Sequence, residues 1–406
     1  MSILKKIYLN DSKFNKNLIY SSLGFFTEKV MMFSFSIVFV KYLGTTLWGE
    51  YSYIVSVVQL ISIFALFGLN TGIIYFYPKN GNRYFTAVFV LNFIISIFLI
   101  VLGNAFILKS ELLLLMIWLV SASNLFLAIH RATGKLRSYY IIRSFLLYAL
   151  MISSIILLHN KNWSSENNMR VSVLTAYILS VISFILINYK HFGKIYLDKK
   201  LVVYSLPLFI TAVSGVLMNK IDIIMLGNTV DFYDIGVYTI TAQIAILPSY
   251  ILSILNTVFA PEISKAHHND NTPEMIPKYI SYTRIVSVLS IGVILFILIF
   301  RNFIFGFYNL TFQAVGVILI IKLAGHLFNN IVGPVWSLIT LSGKSKLNMY
   351  GIASATVINV VLNLILIPMI GILGAAIATT VSLIYVNSLG YILVKKIYKV
   401  KLFIIV

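Results

Sequence analysis

Long apolar runs separated by short charged segments constrain this chain more than any other feature. A helix needs about 20 mostly apolar residues to cross the hydrocarbon core of a bilayer, and twelve stretches reach that length. They run approximately over 18–41, 51–77, 84–108, 112–133, 139–158 and 171–189, then 201–226, 235–260, 280–300, 311–341, 347–368 and 372–394. Between Leu347 and Val394 no charge appears, and Pro368 with Gly371 and Gly374 marks the division into two spans. Proline removes a backbone donor there and glycine tolerates the turn. The expected fold class is an all-α polytopic membrane protein.

Composition agrees. Hydrophobic residues make up 60% and charged residues 11% of the 406, with a mean hydropathy of +0.95. That balance excludes an ordinary water-soluble enzyme, and it excludes intrinsic disorder, which requires low hydrophobicity and high charge. The charges themselves are lopsided, 31 Lys and Arg against 12 Asp and Glu, for a net +19. A basic excess ordinarily suggests nucleic acid or an anionic surface, so its distribution decides. With the N-terminus placed inside, 21 of the 31 basic residues fall in cytoplasmic segments, five fall on the opposite side and five lie within spans. This alternation follows the positive-inside rule. It places both termini in the cytoplasm and leaves no case for nucleic acid.

Residues 1–17 read as a cytoplasmic N-terminal arm. The apolar run from Leu18 is too long for a cleaved leader and lacks a small-residue end, so it reads as a retained span. Cysteine is absent, which removes disulfides, thiolate metal sites and cysteine nucleophiles. The largest connecting segments, 159–170, 189–200 and 261–280, leave no room for a catalytic module. The expected organisation is the arm at 1–17, a six-helix bundle at 18–200, a second at 201–396 and a cytoplasmic tail at 397–406.

The two halves share landmarks in the same order. Tyr20, Leu43-Gly44, Gly49-Glu50-Tyr51 and Pro78 recur as Tyr204, Leu226-Gly227, Gly236-Val237-Tyr238 and Pro261, at offsets of 184, 183, 187 and 183. A short insertion around Asp231–Asp234 accounts for the largest offset. Six spans separate the copies, so both keep the same orientation. This is a parallel repeat with its axis along the membrane normal, a construction that typically surrounds a central cavity and works by alternating access.

Ionisable side chains inside the bilayer cost roughly 2.5–3.5 kcal/mol each on insertion scales and therefore face a cavity or a partner. Lys29, Lys220 and Lys322 are the candidates for a cationic, cargo-binding cavity. Lysine supplies a point charge suited to a phosphate. Glu28 and Asp222 read either as ion-coupling sites or as structural pairing residues. The neighbours Glu28 and Lys29 point about 100° apart on a helix and need not pair with each other. Arg143 and Arg284 lie only a few residues into their spans, where long side chains reach the headgroups. They and His326 are weaker binding candidates, with packing the usual role for such a histidine. The His267-His268 pair has few carboxylates around it, so no metal site is expected, and no cofactor. No nucleophile or acid–base constellation and no glycine-rich phosphate loop appears, so no catalytic residue is assigned.

The C-terminal stretch LSGKSKLNMYGIASATVINVVLNLILIPMIGILGAAIATTVSLI, Leu341–Ile384, resembles the polysaccharide exporters of the multidrug/oligosaccharidyl-lipid/polysaccharide superfamily. The similarity extends to KYLGTTLWGEYSY at Lys41–Tyr53, FGLNTGIIYFYP at Phe67–Pro78, HRATGKLRSYY at His130–Tyr140 and YSLPLFITAVSGVLMNKIDIIMLG at Tyr204–Gly227. The resemblance implies two six-helix bundles around a cationic cavity. It also implies a flippase of the O-antigen (lipopolysaccharide) or capsule type, which moves an undecaprenyl-pyrophosphate-linked oligosaccharide from the cytoplasmic to the periplasmic leaflet. Its partners would be that lipid-linked cargo, membrane lipids, and the polymerase and chain-length proteins of the same pathway. Two alternatives stay open: an ion-coupled drug or cation antiporter of the same superfamily, and a membrane-embedded polysaccharide polymerase. The antiporter would favour acidic cavity residues, whereas here central lysines are as numerous as acids.

Overall fold

A computed structural model describes residues 12–106, 111–268 and 272–398. Most of the N-terminal arm, Lys109 and the end of the C-terminal tail lie outside the described residues. Every regular element among those residues is helical. The elements are α1 (Ser12–Leu43), α2 (Thr45–Leu66), α3 (Leu69–Asn80), α4 (Phe85–Phe106), α5 (Glu111–Thr133) and α6 (Leu136–Tyr140). A π-helical turn, Ile141–Leu146, leads into α7 (Leu147–Asn160) and α8 (Ser165–Asn188). The second half holds α9 (Lys199–Leu226), α10 (Phe232–Ala245), α11 (Leu247–His268), α12 (Thr272–Ile299), α13 (Arg301–Gly306), α14 (Phe312–Val332), α15 (Val335–Leu341) and α16 (Ser345–Tyr398).

Among the described residues, ten helices are long and apolar enough to cross a membrane, or eleven if the pair α10 and α11, bent by 42°, forms one span. The twelve apolar runs and this count differ chiefly at the C-terminus. There, two expected spans form one 54-residue helix, α16, broken internally at Ile370 and Gly371. Gly371 has φ of 57°, which only glycine adopts without strain, so the division falls where Pro368 and Gly371 predict it. The outward faces are apolar: Phe98, Val288, Ile299 and Met369 all expose more than half of their surface. In water such a surface would drive aggregation, whereas in lipid it is the normal exterior. The chain is a multi-pass membrane protein.

The chain forms two compact units. One comprises the chain up to Leu47 together with Ile54–Val213; the other comprises Trp48–Tyr53 and the chain from Ser214 onward. The first is packed around aromatic rings, with Phe126 stacked on Phe184 at 5.2 Å and Tyr139 stacked on Phe184 at 5.5 Å. Phe85, Leu125, Ile129 and Leu201 complete that core. The second has two cores. One joins Ile223, Leu226, Tyr238, Ile318 and Ala375, and the other joins Phe259, Tyr279, Leu338 and Val394.

The repeated landmarks take matching local roles. Leu43 ends α1 and Leu226 ends α9, and each Gly-x-Tyr motif sits early in the next helix. Each copy then breaks that helix, at Phe67-Gly68 in the first and at Ile246 in the second. Neither break interrupts the apolar runs 51–77 and 235–260. Phe67 adopts a left-handed conformation, φ 48° and ψ 32°, which is unfavourable for a bulky residue, and its ring stacks on Phe209 at 4.8 Å.

In the second unit the two motif glycines meet. A Cβ at Gly49 would collide with the carbonyl oxygen of Phe232 and crowd the backbone nitrogen of Gly236. Tyr53 packs on Gly227 and lies 5.9 Å from the Phe232 ring. Backbone atoms cannot move aside as a flexible side chain does, so a larger residue at Gly49 must push the helices apart. Replacing Gly49 with valine is expected to cost about 1–3 kcal/mol, read as a lower thermal midpoint of the purified protein. Gly215, whose Cβ would meet open space, serves as the neutral control.

Candidate cargo and coupling residues

Asp222 holds a cluster of contacts in the second unit. It lies one turn before the end of α9 and is 5% exposed. Its Oδ1 accepts a hydrogen bond from the Ile223 backbone N–H at 2.8 Å. Its Oδ2 accepts from the Tyr238 hydroxyl on α10 and from Thr379 Oγ1 on α16 at 3.2 Å. The Lys322 ammonium, on α14, stands 4.0 Å from the same oxygen and 4.4 Å from the centre of the Tyr238 ring. One carboxylate thus gathers four helices.

The energetic logic is that of a buried ion pair. Taking either charge out of water alone costs several kcal/mol, and the cost is recovered only when the partner and further hydrogen bonds are in place. Two hydroxyls and a backbone N–H meet the carboxylate, while the face of an aromatic ring, negative at its centre, meets the ammonium. Lys220 lies two residues before Asp222, about 200° around the same helix, so the ion partner of Asp222 is Lys322 and not its near neighbour. Lys220 is half-buried. His326, one turn beyond Lys322, pairs through Nδ1 with Ser249 Oγ on α11 at 2.9 Å.

The charges of the first unit are arranged differently. Glu28 and Lys29, both on α1, do meet: Lys29 Nζ lies 3.7 Å from Glu28 Oε1, with 23% and 26% of the side chains exposed. Long side chains bend toward each other across the 100° between their positions. Lys29 also sits 5.0 Å from the centre of the Phe25 ring. Arg143, expected to reach toward the headgroups, instead places its guanidinium 5.6 Å from the Tyr177 ring centre, with Nη1 fully buried. Arg284, by contrast, is exposed on α12. Among the described residues no group of three or more His, Asp or Glu side chains is placed to hold a metal ion.

Sequence reasoning singles out Asp222 and Lys322 separately but not as partners, and it misses Tyr238 and Thr379. Both missed residues lie in motifs that stand out for another reason. Tyr238 is the tyrosine of the second Gly-x-Tyr, and Thr379 belongs to the IPxxGxxGAAIATxxS stretch. The Asn359 and Asn363 pair of the same region is buried on α16, where Asn363 Nδ2 donates to the Asn359 backbone carbonyl at 2.9 Å and to its Oδ1 at 3.1 Å.

If Asp222 and Lys322 are held mainly by each other, removing one strands the other. D222N and K322M are each expected to lower stability by about 3–5 kcal/mol, and the double variant to recover most of the loss. Thermal unfolding of the purified proteins in detergent checks the cycle; additive losses in the double variant would contradict it.

Comparison with known proteins places this geometry. Residues 168–309 match the family described as "Polysaccharide biosynthesis protein". The chain is 23% identical to the capsular polysaccharide biosynthesis protein CapF of Staphylococcus aureus over 382 residues, covering 86% of this chain and 91% of that one. Among solved structures, the lipid II flippase MurJ in an inward closed conformation superposes with a TM-score of 0.73 at 16% identity, over 93% of this chain and 87% of MurJ. An inward-facing multidrug resistance MATE family transporter of the MOP superfamily gives 0.68 at 12% identity, over 92% and 94% of the two chains. These likenesses agree with the resemblance carried by Leu341–Ile384 and the other motifs. The fold seen in MurJ and the MATE transporter extends over nearly the whole length. Residues 168–309 are thus similar to the polysaccharide-biosynthesis family, within a chain that has the fold of MurJ and the MATE transporter.

Proposed function

We propose that this protein is a flippase that moves undecaprenyl-pyrophosphate-linked oligosaccharide repeat units, of the capsule or O-antigen type, from the cytoplasmic to the periplasmic leaflet. The observation that carries the reading is the joint one: a polysaccharide-biosynthesis match at 168–309 and a capsular relative along most of the length, in a chain with the MurJ fold. The work is alternating access by the two homologous six-helix halves, 18–200 and 201–396, in an inner membrane with both termini cytoplasmic; the lysine distribution supports that orientation.

Lys29 and Lys220, one from each half, attract the cargo's phosphates. A pyrophosphate leaving water loses hydration, and fixed ammonium groups replace part of it. Lys322 belongs to the same cationic set, and its engagement with Asp222 makes it the member whose charge is most fully compensated. Glu28 and Asp222 are the groups through which an ion gradient would act. The cargo's own partners, the polymerase and chain-length proteins, take the repeat unit on the far side.

Deleting the gene is expected to build up lipid-linked repeat units in the cytoplasmic leaflet and to remove the surface polysaccharide. K29A and K220A are each expected to abolish export while membrane levels of the protein stay unchanged, as judged by immunoblot. Intact surface polysaccharide with no build-up in the deletion strain would defeat the flippase reading. Normal export by both variants would defeat the role given to the lysines.

A further inference from the structure

We infer that the segment joining α8 to α9, residues 189–200, is an anchor for anionic phospholipid headgroups on the surface of the first unit. The inference depends on the chain spanning a membrane and not on what it carries.

The segment is short. α8 ends at Asn188 and α9 begins at Lys199, and both helices are long and apolar enough to cross a bilayer. A connection of this length between two spans has to lie where hydrocarbon gives way to headgroups. After a 3₁₀ turn at Tyr189–His191 it runs without helix to Lys199. Its backbone is tied to the turn between α3 and α4. Asn82 Nδ2 donates to the carbonyl oxygens of Lys190 and His191 at 3.4 and 3.3 Å, and Thr86 Oγ1 accepts from the Gly193 N–H at 2.7 Å. Two side chains turn inward. Phe192 meets the rings of Phe85 and Phe89 at 5.1 Å each, and Tyr196 packs on Tyr84 at 5.6 Å. These contacts fix which side chains are left outside.

The outer side chains combine two chemistries. Tyr189, Ile195 and Leu197 are 62%, 70% and 43% exposed. Lys190, Lys194, Lys199 and Lys200 are exposed among them. Arg83, also exposed, joins from the turn between α3 and α4, with its guanidinium braced 3.6 Å from the centre of the Tyr196 ring. Asp198 is the single acidic residue of the segment, and its Oδ1 accepts from the Lys200 backbone N–H at 2.9 Å. Among the described residues none of these five cations makes an ion pair. Lys199 and Lys200 also open α9, the end at which the helix dipole already carries positive charge. The counterpart this surface lacks is an anion.

The apolar side chains decide which anion. Charge sidedness accounts for lysines at this end of the unit, but not for an exposed isoleucine and leucine interleaved with them. In water such a cluster is unfavourable. The headgroup layer meets both needs, with phosphates for the ammonium groups and acyl chains just beneath for Ile195 and Leu197. A zwitterionic headgroup offsets its phosphate with its own cation, so an anionic headgroup is preferred. An acidic polypeptide would meet the lysines but offers no apolar layer at the depth set by the two spans.

Thermal unfolding of the purified full-length chain in a neutral detergent, with phosphatidylglycerol, phosphatidylcholine or polyglutamate added, tests the inference. Phosphatidylglycerol is expected to raise the midpoint of wild type well above phosphatidylcholine, and added salt to shrink the difference. Replacing Lys190, Lys194, Lys199 and Lys200 together with glutamine should weaken the apparent phosphatidylglycerol affinity at least about tenfold, and the I195S/L197S variant should weaken it less. Replacing Lys344, Lys346, Lys395 and Lys396, exposed lysines of the second unit, with glutamine removes the same charge and should leave the response intact. A second reading uses I195W in vesicles holding both lipids, one or the other brominated: its added fluorescence should be quenched more by brominated phosphatidylglycerol. That reading decides if the glutamine variant of the segment does not elute as a single species. Equal responses of wild type to the two lipids, equal losses in the two glutamine variants, or equal quenching of I195W by the two lipids would overturn the inference. A rise in midpoint with polyglutamate that phosphatidylglycerol does not reproduce would assign the surface to an acidic protein and overturn it likewise.

Discussion

The cost of removing charge from water governs this protein at every level. A chain with 11% charged residues has few to place, and hydrocarbon admits them only with a partner or a polar surface. Most of its lysines and arginines therefore fall in the segments between apolar runs. Three of the five basic exceptions inside the spans meet the constraint in a recognisable way. Lys322 and Asp222 compensate each other with help from Tyr238 and Thr379. Lys29 leans on Glu28 and the Phe25 ring. Arg143 places its guanidinium beside the Tyr177 ring.

That contrast separates structural charges from charges able to recognise a ligand. In the second unit the charged cluster is closed. Asp222 draws hydroxyls from α10 and α16 and an ammonium from α14 onto α9, so the group acts as a clasp among helices distant in sequence. A transporter that reshapes its halves needs such fixed points within each half. The first unit holds its charges more loosely, with Glu28 and Lys29 about a quarter exposed and a π turn in the helix beside them.

Much of this is legible in the sequence. Apolar run length dictates the helices because a bilayer leaves the backbone no alternative, and Pro368 with Gly371 locates the break inside α16. The internal repeat is visible in Leu-Gly and Gly-x-Tyr, and three of its four glycines prove to be where helices touch closely, with Gly49 against Phe232 and Gly236 and with Gly227 under Tyr53, while Gly44 faces open space. The breaks after Leu66 and Ala245 are not separated from the apolar runs around them, although Gly68 and Pro248 stand beside them and are the residue types that mark such breaks. The partnership of Asp222 with Lys322 is hidden. Pairing between residues 100 positions apart is decided by tertiary structure, and the nearer Lys220 is the natural suggestion from the sequence. Arg143 is misjudged by the same local logic, because nearness to a span end says nothing about the Tyr177 ring beside its guanidinium.

The proposed flippase would carry a prenyl-pyrophosphate-linked oligosaccharide across a bilayer. The most direct measurement is transbilayer movement in proteoliposomes: a fluorescent prenyl-pyrophosphate-linked oligosaccharide is placed in both leaflets and its exposure to an impermeant quencher is followed with time. The account predicts a slow quenching phase, beyond the outer-leaflet half, in vesicles containing the protein and none in protein-free vesicles. Identical traces for the two preparations, under each ion gradient imposed, would contradict it.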